Sequence, residues 1–325
     1  MAENDVATKA PESDAAEQPI IPGDTPAQEG PTMGEHCATD RPTPPDQAPT
    51  GEITKIRDVD VYVTKPSDYP HSPSKLLLFL TNGRGVKSVN NQLQADKYAA
   101  EGFLVVMPDM FSGDEAPNST NPDASSSEEN DPSLIDQVKL GFAATAKSFM
   151  IDMWLARQTP EKVLPILHKV IEGAKEEFAD AVASGDGIYA VGYCFGGKYV
   201  LMLAGEHPDT VMSGQAVQDE ERGVVKTGPV IKAGAMAHGV LVTLEDMQAI
   251  KAPVTLACVE NDSLFPDDIR NEGQKYLEDN DIKHELRTYS KVPHGFAVLG
   301  EYEDKHITEA QGWAYDQMLG WLKAH

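Results

Sequence analysis

A cysteine in a glycine-bounded turn is the residue of this sequence best suited to nucleophilic chemistry. Cys194 lies in the run GYCFGG at 192–197, which matches the pattern G-x-nucleophile-x-G. In that pattern, small residues two positions before and after the nucleophile let a strand turn sharply into a helix. The turn would expose the sulfur above the sheet, where the positive end of the helix favours the thiolate. The alternative is a buried core cysteine beside an ordinary glycine turn.

The same pattern predicts an acid and a histidine later in the chain, each just past the end of a strand. Asp262 follows the apolar run at 254–259, and His294 follows the run at 284–289. His294 would hold the proton of the thiol and later protonate the leaving group, while Asp262 would fix its tautomer. Glu260 is a competing acid, but it lies closer to its strand, so we favour Asp262.

An oxyanion hole would combine the amide N–H that follows the nucleophile with an N–H from a loop after an early strand. The first of these belongs to Phe195. The loop TNGRG at 81–85 fits the second place, with Gly83 as the donor. Its neighbours Asn82 and Arg84 are candidates for contact with a substrate.

No other motif predicts a cofactor or a metal ion. His238 follows an apolar stretch, but no acid follows it at a suitable spacing, so we interpret it as structural. The run GRGVKS at 83–88 has the wrong spacing for a phosphate-binding loop. No cluster of His, Cys and carboxylate residues has metal-ligand spacing, and no dinucleotide fingerprint is present. We therefore expect no cofactor.

The elements that must position these residues alternate between strands and helices. Short apolar runs predict buried strands, and longer amphipathic segments predict helices. The predicted strands are an edge strand at 58–64, strands buried on both faces at 76–80 and 103–107, and further strands at 188–193, 254–259 and 284–289. The predicted helices lie at 91–101, 134–155, 161–183, 198–204 and 305–323, the last with Trp313 and Trp321 as core anchors. This order predicts an α/β-hydrolase fold, in which a mostly parallel, doubly wound sheet carries helices on both faces.

Composition divides the 325 residues into a tail and one domain. Residues 1–50 are rich in Pro, Ala, Glu, Asp and Thr and contain almost no large aliphatic residues. Because such a segment buries too little apolar area to offset its ordering entropy, we predict a disordered tail at 1–50 and a domain at 51–325. The stretch at 114–136 has seven carboxylates and no Lys or Arg, which favours a solvated surface loop over an interaction site.

Charge and cysteine content exclude several classes of function. The formal net charge of -25 argues against a nucleic-acid binder, because few cations are available to neutralise phosphates. No run approaches the ~18 apolar residues of a membrane span, and no secretory signal is visible. Three cysteines are no disulfide framework, which favours a reducing compartment such as the cytoplasm.

Four motifs together resemble the dienelactone hydrolase family over roughly 51–322. They are GYCFGG at 192–197, DSLFP at 262–266, PHGF at 293–296 and PDMF at 108–111. The segment 34–51 also resembles the lead-in of eukaryotic members. The resemblance implies that a small-molecule lactone or other carboxylic ester is cleaved through a thioester intermediate.

Three positions depart from the family pattern. Bacterial members have a glutamate that helps to deprotonate the cysteine where this sequence has Asn82, which cannot act as a base. They also hold the substrate carboxylate with two arginines, and the matching positions here are Gly113 and Val298. These departures predict that the substrate is a neutral ester or lactone, or one that the protein holds in a different way. Arg84 is a candidate substitute cation.

Two other functions stay open at this point. Because Asn82 leaves the thiol without a nearby carboxylate base, the chain could be a small-molecule or partner-binding protein with little hydrolytic activity. It could also perform related acyl chemistry, such as transfer or cyclisation in a biosynthetic pathway.

Overall fold

The computed structural model describes residues 40–117, 150–208 and 226–325 of the chain. The main-sheet strands are β1 Glu52–Ile56, β2 Val59–Thr64, β3 Lys75–Leu80, β4 Phe103–Pro108, β5 Ile188–Tyr193, β8 Ala233–Ala237, β9 Val254–Val259 and β10 His284–Tyr289. They form one sheet in the order β1-β2-β4-β3-β5-β8-β9-β10. Two short strands, β6 His207–Pro208 and β7 Lys226–Thr227, pair separately.

Most of the main sheet is parallel. β2 is antiparallel to both of its neighbours, β1 and β4, and the pairs from β4 through β10 are parallel. Four of the inner strands, β3, β4, β5 and β9, are largely continuous apolar runs because both of their faces are buried. The predicted α/β-hydrolase fold is therefore confirmed.

Two strands differ from the sequence prediction. The segment predicted as the edge strand is β2, but β1 lies outside it and forms the edge, with four of its five residues exposed. β8 has the sequence AGAMA, and the sequence analysis identified no strand there. Alanine and glycine have low strand propensity, so the burial of β8 between β5 and β9 depends on its neighbours rather than on its own residues.

Helices cover both faces of the sheet. They are α1 Val89–Ala100, α2 Pro160–Glu177, α3 Ala179–Gly185, α4 Phe195–Leu203, α5 Leu244–Ala249, α6 Asp267–Asp279 and α7 Lys305–Ala324. Buried residues of α1 and α7 pack on one face, and those of α2, α3, α4, α5 and α6 pack on the other. Of the helices in the described ranges, none is long and apolar enough to cross a membrane.

The helices predicted at 91–101, 198–204 and 305–323 correspond to α1, α4 and α7, whereas α5 and α6 were not predicted. The single helix predicted at 161–183 is two helices, α2 and α3, because Phe178 between them leaves helical geometry at φ -120. Residues 150–157 are helical, and the rest of the helix predicted at 134–155 lies outside the described residues. Trp313 was predicted to be a core anchor, which is wrong: it is 49% exposed on the outer face of α7.

The segment 40–50, which the sequence analysis assigned to the tail, contacts the domain. Asp40 accepts a hydrogen bond from the Ser88 hydroxyl at 2.9 Å. The carbonyl of Arg41 accepts a bond from the Asn90 side chain at 2.7 Å, and the N–H of Thr50 donates to Asp96 at 2.7 Å. Residues 40–50 therefore pack on the domain despite their polar composition, and the rest of the predicted tail lies outside the described residues.

We expect two helical glycines to respond in opposite ways to substitution by alanine. A Cβ at Gly173 in α2 would lie 2.4 Å from Cγ2 of the buried Ile56, whereas a Cβ at Gly312 in α7 would meet no atom within 4 Å. Gly173→Ala should lower the free energy of unfolding by about 1–2 kcal/mol through overpacking. Gly312→Ala should raise it by about 0.5–1 kcal/mol through helix propensity. Urea denaturation measures both, and equal effects would contradict the packing described for α2.

Candidate active site

The turn between β5 and α4 has the backbone geometry of a nucleophile elbow. Cys194 adopts φ 51 and ψ -113, values that a residue with a side chain rarely adopts. A Cβ at Gly192 would lie 2.5 Å from the carbonyl oxygen of Gly196, and one at Gly196 would lie 2.2 Å from that of Leu80. Only glycine therefore fits at these two positions, which explains the spacing of the motif.

Neighbouring strands hold this turn through backbone hydrogen bonds. The N–H of Cys194 donates to Ala237 at the end of β8 at 3.1 Å, and its carbonyl accepts from Val240 at 3.3 Å. The N–H of Gly196 donates to Thr81 after β3 at 3.0 Å. Cys194 itself is 1% exposed. The expectation of an exposed sulfur is therefore wrong, because the loops after β3 and β8 close around the turn.

Asp262 and His294 meet beyond the ends of β9 and β10. His294 Nδ1 lies 2.7 Å from Asp262 Oδ2, and both side chains are less than a tenth exposed. The other carboxylate oxygen of Asp262 accepts a hydrogen bond from the Leu264 N–H at 3.0 Å, which fixes the carboxylate. Glu260, the competing acid, is exposed at the protein surface. The acid in contact with the histidine is thus Asp262.

The pKa of His294 depends on both Asp262 and Cys194. Burial lowers its pKa, but the hydrogen bond with Asp262 and the interaction with Cys194 outweigh burial and raise the pKa to about 9. A histidine in this environment retains a proton at neutral pH, and an imidazolium beside a cysteine favours the thiolate. The arrangement is therefore able to generate a nucleophile without a carboxylate base.

The two predicted oxyanion donors lie in neighbouring turns. Gly196, directly after Phe195, is hydrogen-bonded to Thr81 in the loop that contains Gly83. Within the described ranges, the N–H groups of Phe195 and Gly83 donate no hydrogen bond to another residue. The carbonyl of Gly83 accepts from the Ala116 N–H at 2.8 Å, which fixes the loop from outside.

Asn82 and Arg84 both take part in contacts that hold this loop. The side-chain oxygen of Asn82 accepts from the Arg84 N–H at 3.1 Å and from the Asn91 amide at 2.9 Å. Arg84 donates from Nη1 to the Ala116 carbonyl at 3.0 Å, and its Nε lies 3.6 Å from a carboxylate oxygen of Asp40. Both side chains therefore stabilise the loop that carries Gly83, and the Arg84 charge is already balanced by Asp40.

An aromatic cluster beside Cys194 was not predicted from the sequence. The ring of Phe195 lies 5.1–5.5 Å, between centroids, from the rings of Phe111, Trp154 and Tyr199. Phe111 belongs to the PDMF motif, and Asp109 of that motif accepts hydrogen bonds from the backbone N–H groups of Phe111 and Gly113. Trp154 comes from residues distant in sequence, so no local pattern could have indicated the cluster.

Arg41 is a second residue that the sequence analysis did not connect with the site. It lines a small cavity together with Asn82, Val298 and Gly295, the residue after His294. Its guanidinium lies 4.7 Å from the centroid of the Tyr302 ring. Because residues 1–50 were predicted to be a tail, Arg41 was not considered as a residue near the site. Among residues 40–117, 150–208 and 226–325, no group of three His, Cys, Asp or Glu side chains is arranged to bind a metal ion.

The fold and the elbow define an α/β-hydrolase, and comparison with known proteins gives its family. The model of the dienelactone hydrolase family matches residues 59–216 and 223–325. The chain is 30% identical to the hydrolase pyvD of Aspergillus violaceofuscus over 85% of its length and 90% of the relative. It is 29% identical to dienlactone hydrolase 1 of Gibberella moniliformis over 84% and 87%. The chain therefore belongs to the dienelactone hydrolase family, and it is a hydrolase that acts on ester bonds.

Solved structures share the fold at much lower identity. A Klebsiella pneumoniae protein provisionally described as a dienelactone hydrolase matches with a TM-score of 0.59 at 16% identity, over 86% of this chain and 100% of that one. Esterase 2 of Thermogutta terrifontis matches with a TM-score of 0.53 at 13% identity, over 83% and 94%.

We expect Asp262→Asn to remove a stabilising contribution that depends on pH. A histidine whose pKa is about 9 in the folded state, against an ordinary value of 6.5, stabilises the fold below pH 6.5. That contribution is lost as the pH rises from 6.5 through 9. The difference in unfolding free energy between the wild type and Asp262→Asn should therefore be largest at pH 6 and should shrink towards pH 9.5. Urea denaturation across this range measures it.

The matched control for this experiment is Glu260→Gln, which removes an exposed carboxylate two residues away. Its unfolding free energy should follow that of the wild type at every pH. A difference for Asp262→Asn that stays constant with pH would contradict the raised pKa of His294.

Proposed function

We propose that this chain hydrolyses a neutral carboxylic ester or lactone through a triad of Cys194, His294 and Asp262. The observation that carries the proposal is the 2.7 Å contact between His294 and Asp262, together with the interaction of the same imidazole with Cys194 at the elbow. Nucleophile, base and orienting acid are thus linked in the order that covalent acyl chemistry requires.

In the first half of the proposed reaction, the thiolate of Cys194 attacks the carbonyl carbon of the substrate. The negative charge moves to the carbonyl oxygen, where the N–H groups of Phe195 and Gly83 stabilise it. The imidazolium of His294 then gives its proton to the leaving oxygen as the carbon–oxygen bond breaks. An alcohol, or the free hydroxyl of an opened lactone, departs and a thioester on Cys194 remains.

In the second half, the neutral imidazole of His294 takes a proton from a water molecule that attacks the thioester carbon. The same two N–H groups stabilise the second oxyanion. When the carbon–sulfur bond breaks, the carboxylic acid is released and the Cys194 thiolate is restored beside the protonated His294. Asp262 keeps its hydrogen bond to Nδ1 throughout, so that Nε2 is the nitrogen that exchanges the proton.

The surroundings of the site support a neutral substrate. Gly113 and Val298 supply no charge, and the guanidinium groups of Arg84 and Arg41 are held by Asp40 and the ring of Tyr302. The ring of Phe195 is surrounded by other buried aromatic rings. Because the nucleophile is a thiolate that must stay reduced, we also propose that the reaction takes place in the cytoplasm.

Cys194→Ala should abolish hydrolysis of 4-nitrophenyl esters. Removal of a nucleophile that forms the covalent intermediate should lower kcat by at least about 10³-fold. Mass spectrometry after rapid acid quenching should detect an acyl group on Cys194 in the wild type and none in the variant. The control is Cys258→Ala, which removes the buried thiol of β9 and should keep the acyl group on Cys194. Full esterase activity in Cys194→Ala would overturn the proposed triad, whereas a wild type without esterase activity would leave a binding function as the explanation.

An uncharged ester should be a better substrate than an acidic one of the same size. We expect kcat/KM for 4-nitrophenyl butyrate to exceed that for mono-4-nitrophenyl succinate by about tenfold or more, because one missing charge-assisted contact is worth that much. Arg41→Gln is the informative variant, since Arg41 is a cation that lines a cavity together with Asn82 and Gly295, the residue after His294. A succinate ester that is turned over well by the wild type and poorly by Arg41→Gln would contradict the neutral substrate. Added alcohol acceptors in the same assay would reveal acyl transfer as ester products.

A further inference from the structure

His238 is a buried histidine that the proposed mechanism does not use. It follows β8 directly, is 0% exposed, and has no hydrogen-bond partner for either ring nitrogen within the described ranges. Its backbone adopts φ 38, a conformation that residues with side chains rarely adopt. Unpaired buried polar atoms and strained backbone both disfavour the folded state. A phenylalanine at this position would have no unpaired polar atoms. A purely structural role therefore does not explain why the residue is a histidine.

The ring of His238 packs against the catalytic imidazole. The two ring centroids are 5.1 Å apart and the planes are inclined at 65°, an edge-to-face arrangement. The other rings beside it are those of Tyr193 at 6.0 Å and Phe296 at 5.9 Å. His294 is thus fixed on one side by the carboxylate of Asp262 and contacts the His238 ring as well.

The turn that carries His238 is also hydrogen-bonded to the backbone of Cys194. Ala237 accepts the hydrogen bond from the Cys194 N–H, and Val240 donates to the Cys194 carbonyl. The His238 N–H donates to Ala257 in β9 at 2.8 Å, so its backbone is fixed as well. The position of His238 relative to Cys194 and to β9 is therefore set by backbone bonds rather than by its own side chain.

His238 stays uncharged in this environment. Burial, and then repulsion by His294, hold its pKa well below the ordinary value. The other titratable side chain packed against it is Tyr193 from β5, whose pKa is raised by burial so that it is neutral too. A neutral imidazole carries a nitrogen lone pair, which attracts nearby positive charge and which a phenylalanine ring lacks.

We propose that His238 is a positioning residue whose neutral imidazole holds the ring of His294 towards Cys194 and favours the protonated form of His294. The proposal rests on the catalytic role of His294 and Cys194 given above. His238 would thereby support the thiolate at a position where Asn82 offers no carboxylate to do so. The imidazole pair would raise the reactivity of Cys194 at neutral pH at the expense of stability.

The test compares His238→Phe with His238→Asn. Phenylalanine keeps the aromatic ring but lacks both nitrogens, whereas asparagine keeps polar atoms and tolerates a positive φ. We expect His238→Phe to be as stable as the wild type or more so, with kcat lowered about tenfold or more and KM changed less than about twofold. The rate of alkylation of Cys194 by iodoacetamide at pH 7 should fall in parallel. His238→Asn should retain more of both rates than His238→Phe.

His207→Phe is the matched control. His207 in β6 is also buried with an unpartnered Nε2, and it lies beside Met202 near the far end of α4 from Cys194. Its replacement should leave kcat and the alkylation rate unchanged. If His238→Phe keeps the kcat and the alkylation rate of the wild type, the proposal is wrong. If His238→Phe does not fold, His238→Asn becomes the test of the proposal. The proposal is then wrong if Cys194 is alkylated at the same rate in His238→Asn and in the wild type. A Cys194→Ala enzyme that remains active would instead overturn the triad itself.

Discussion

The close approach of α4 to the end of β3 is the constraint on which the rest of the site depends. The backbone of Gly196 lies so near Leu80 that a Cβ would be 2.2 Å from its carbonyl oxygen, and its N–H donates to Thr81. This contact brings the start of α4 against the loop that contains Gly83. Cys194 lies directly before this helix in a backbone conformation of φ 51 and ψ -113. One steric contact therefore brings together Cys194 and both candidate oxyanion donors.

Electrostatics at the site follow from burial combined with a few directed hydrogen bonds. A buried imidazole would ordinarily lose its proton, yet the carboxylate of Asp262 reverses this tendency in His294. The carboxylate in turn is held by a backbone N–H from Leu264. In His238 no such partner opposes burial, so the pKa values of two histidines with rings 5.1 Å apart are shifted in opposite directions. Because two adjacent imidazolium rings would repel each other, the charge on one depends on the neutrality of the other.

The part of this arrangement that the sequence predicts is the part encoded locally. The GYCFGG motif predicts its own turn, and the predicted strands at 254–259 and 284–289 place Asp262 and His294 just beyond strand ends. Burial of Cys194, the strand AGAMA and the contacts of residues 40–50 were not predicted, because each depends on surfaces supplied by distant segments. The proposed role for His238 has the same origin. Its spacing in the sequence indicated no acid partner, and only the packing of β8 beside β5 and β9 brings it to His294.

The distribution of charge also bears on the kind of substrate that could approach. The site already contains the Asp262 carboxylate and, in the proposed mechanism, a thiolate, against one imidazolium. A substrate carboxylate would add a further negative charge in a region where Arg84 is paired with Asp40 and Arg41 is stacked on Tyr302. The whole chain carries a formal net charge of -25, which repels anions over longer distances as well. Both the local and the long-range fields therefore favour an uncharged ester, even though an anionic substrate would suit the pattern of bacterial family members.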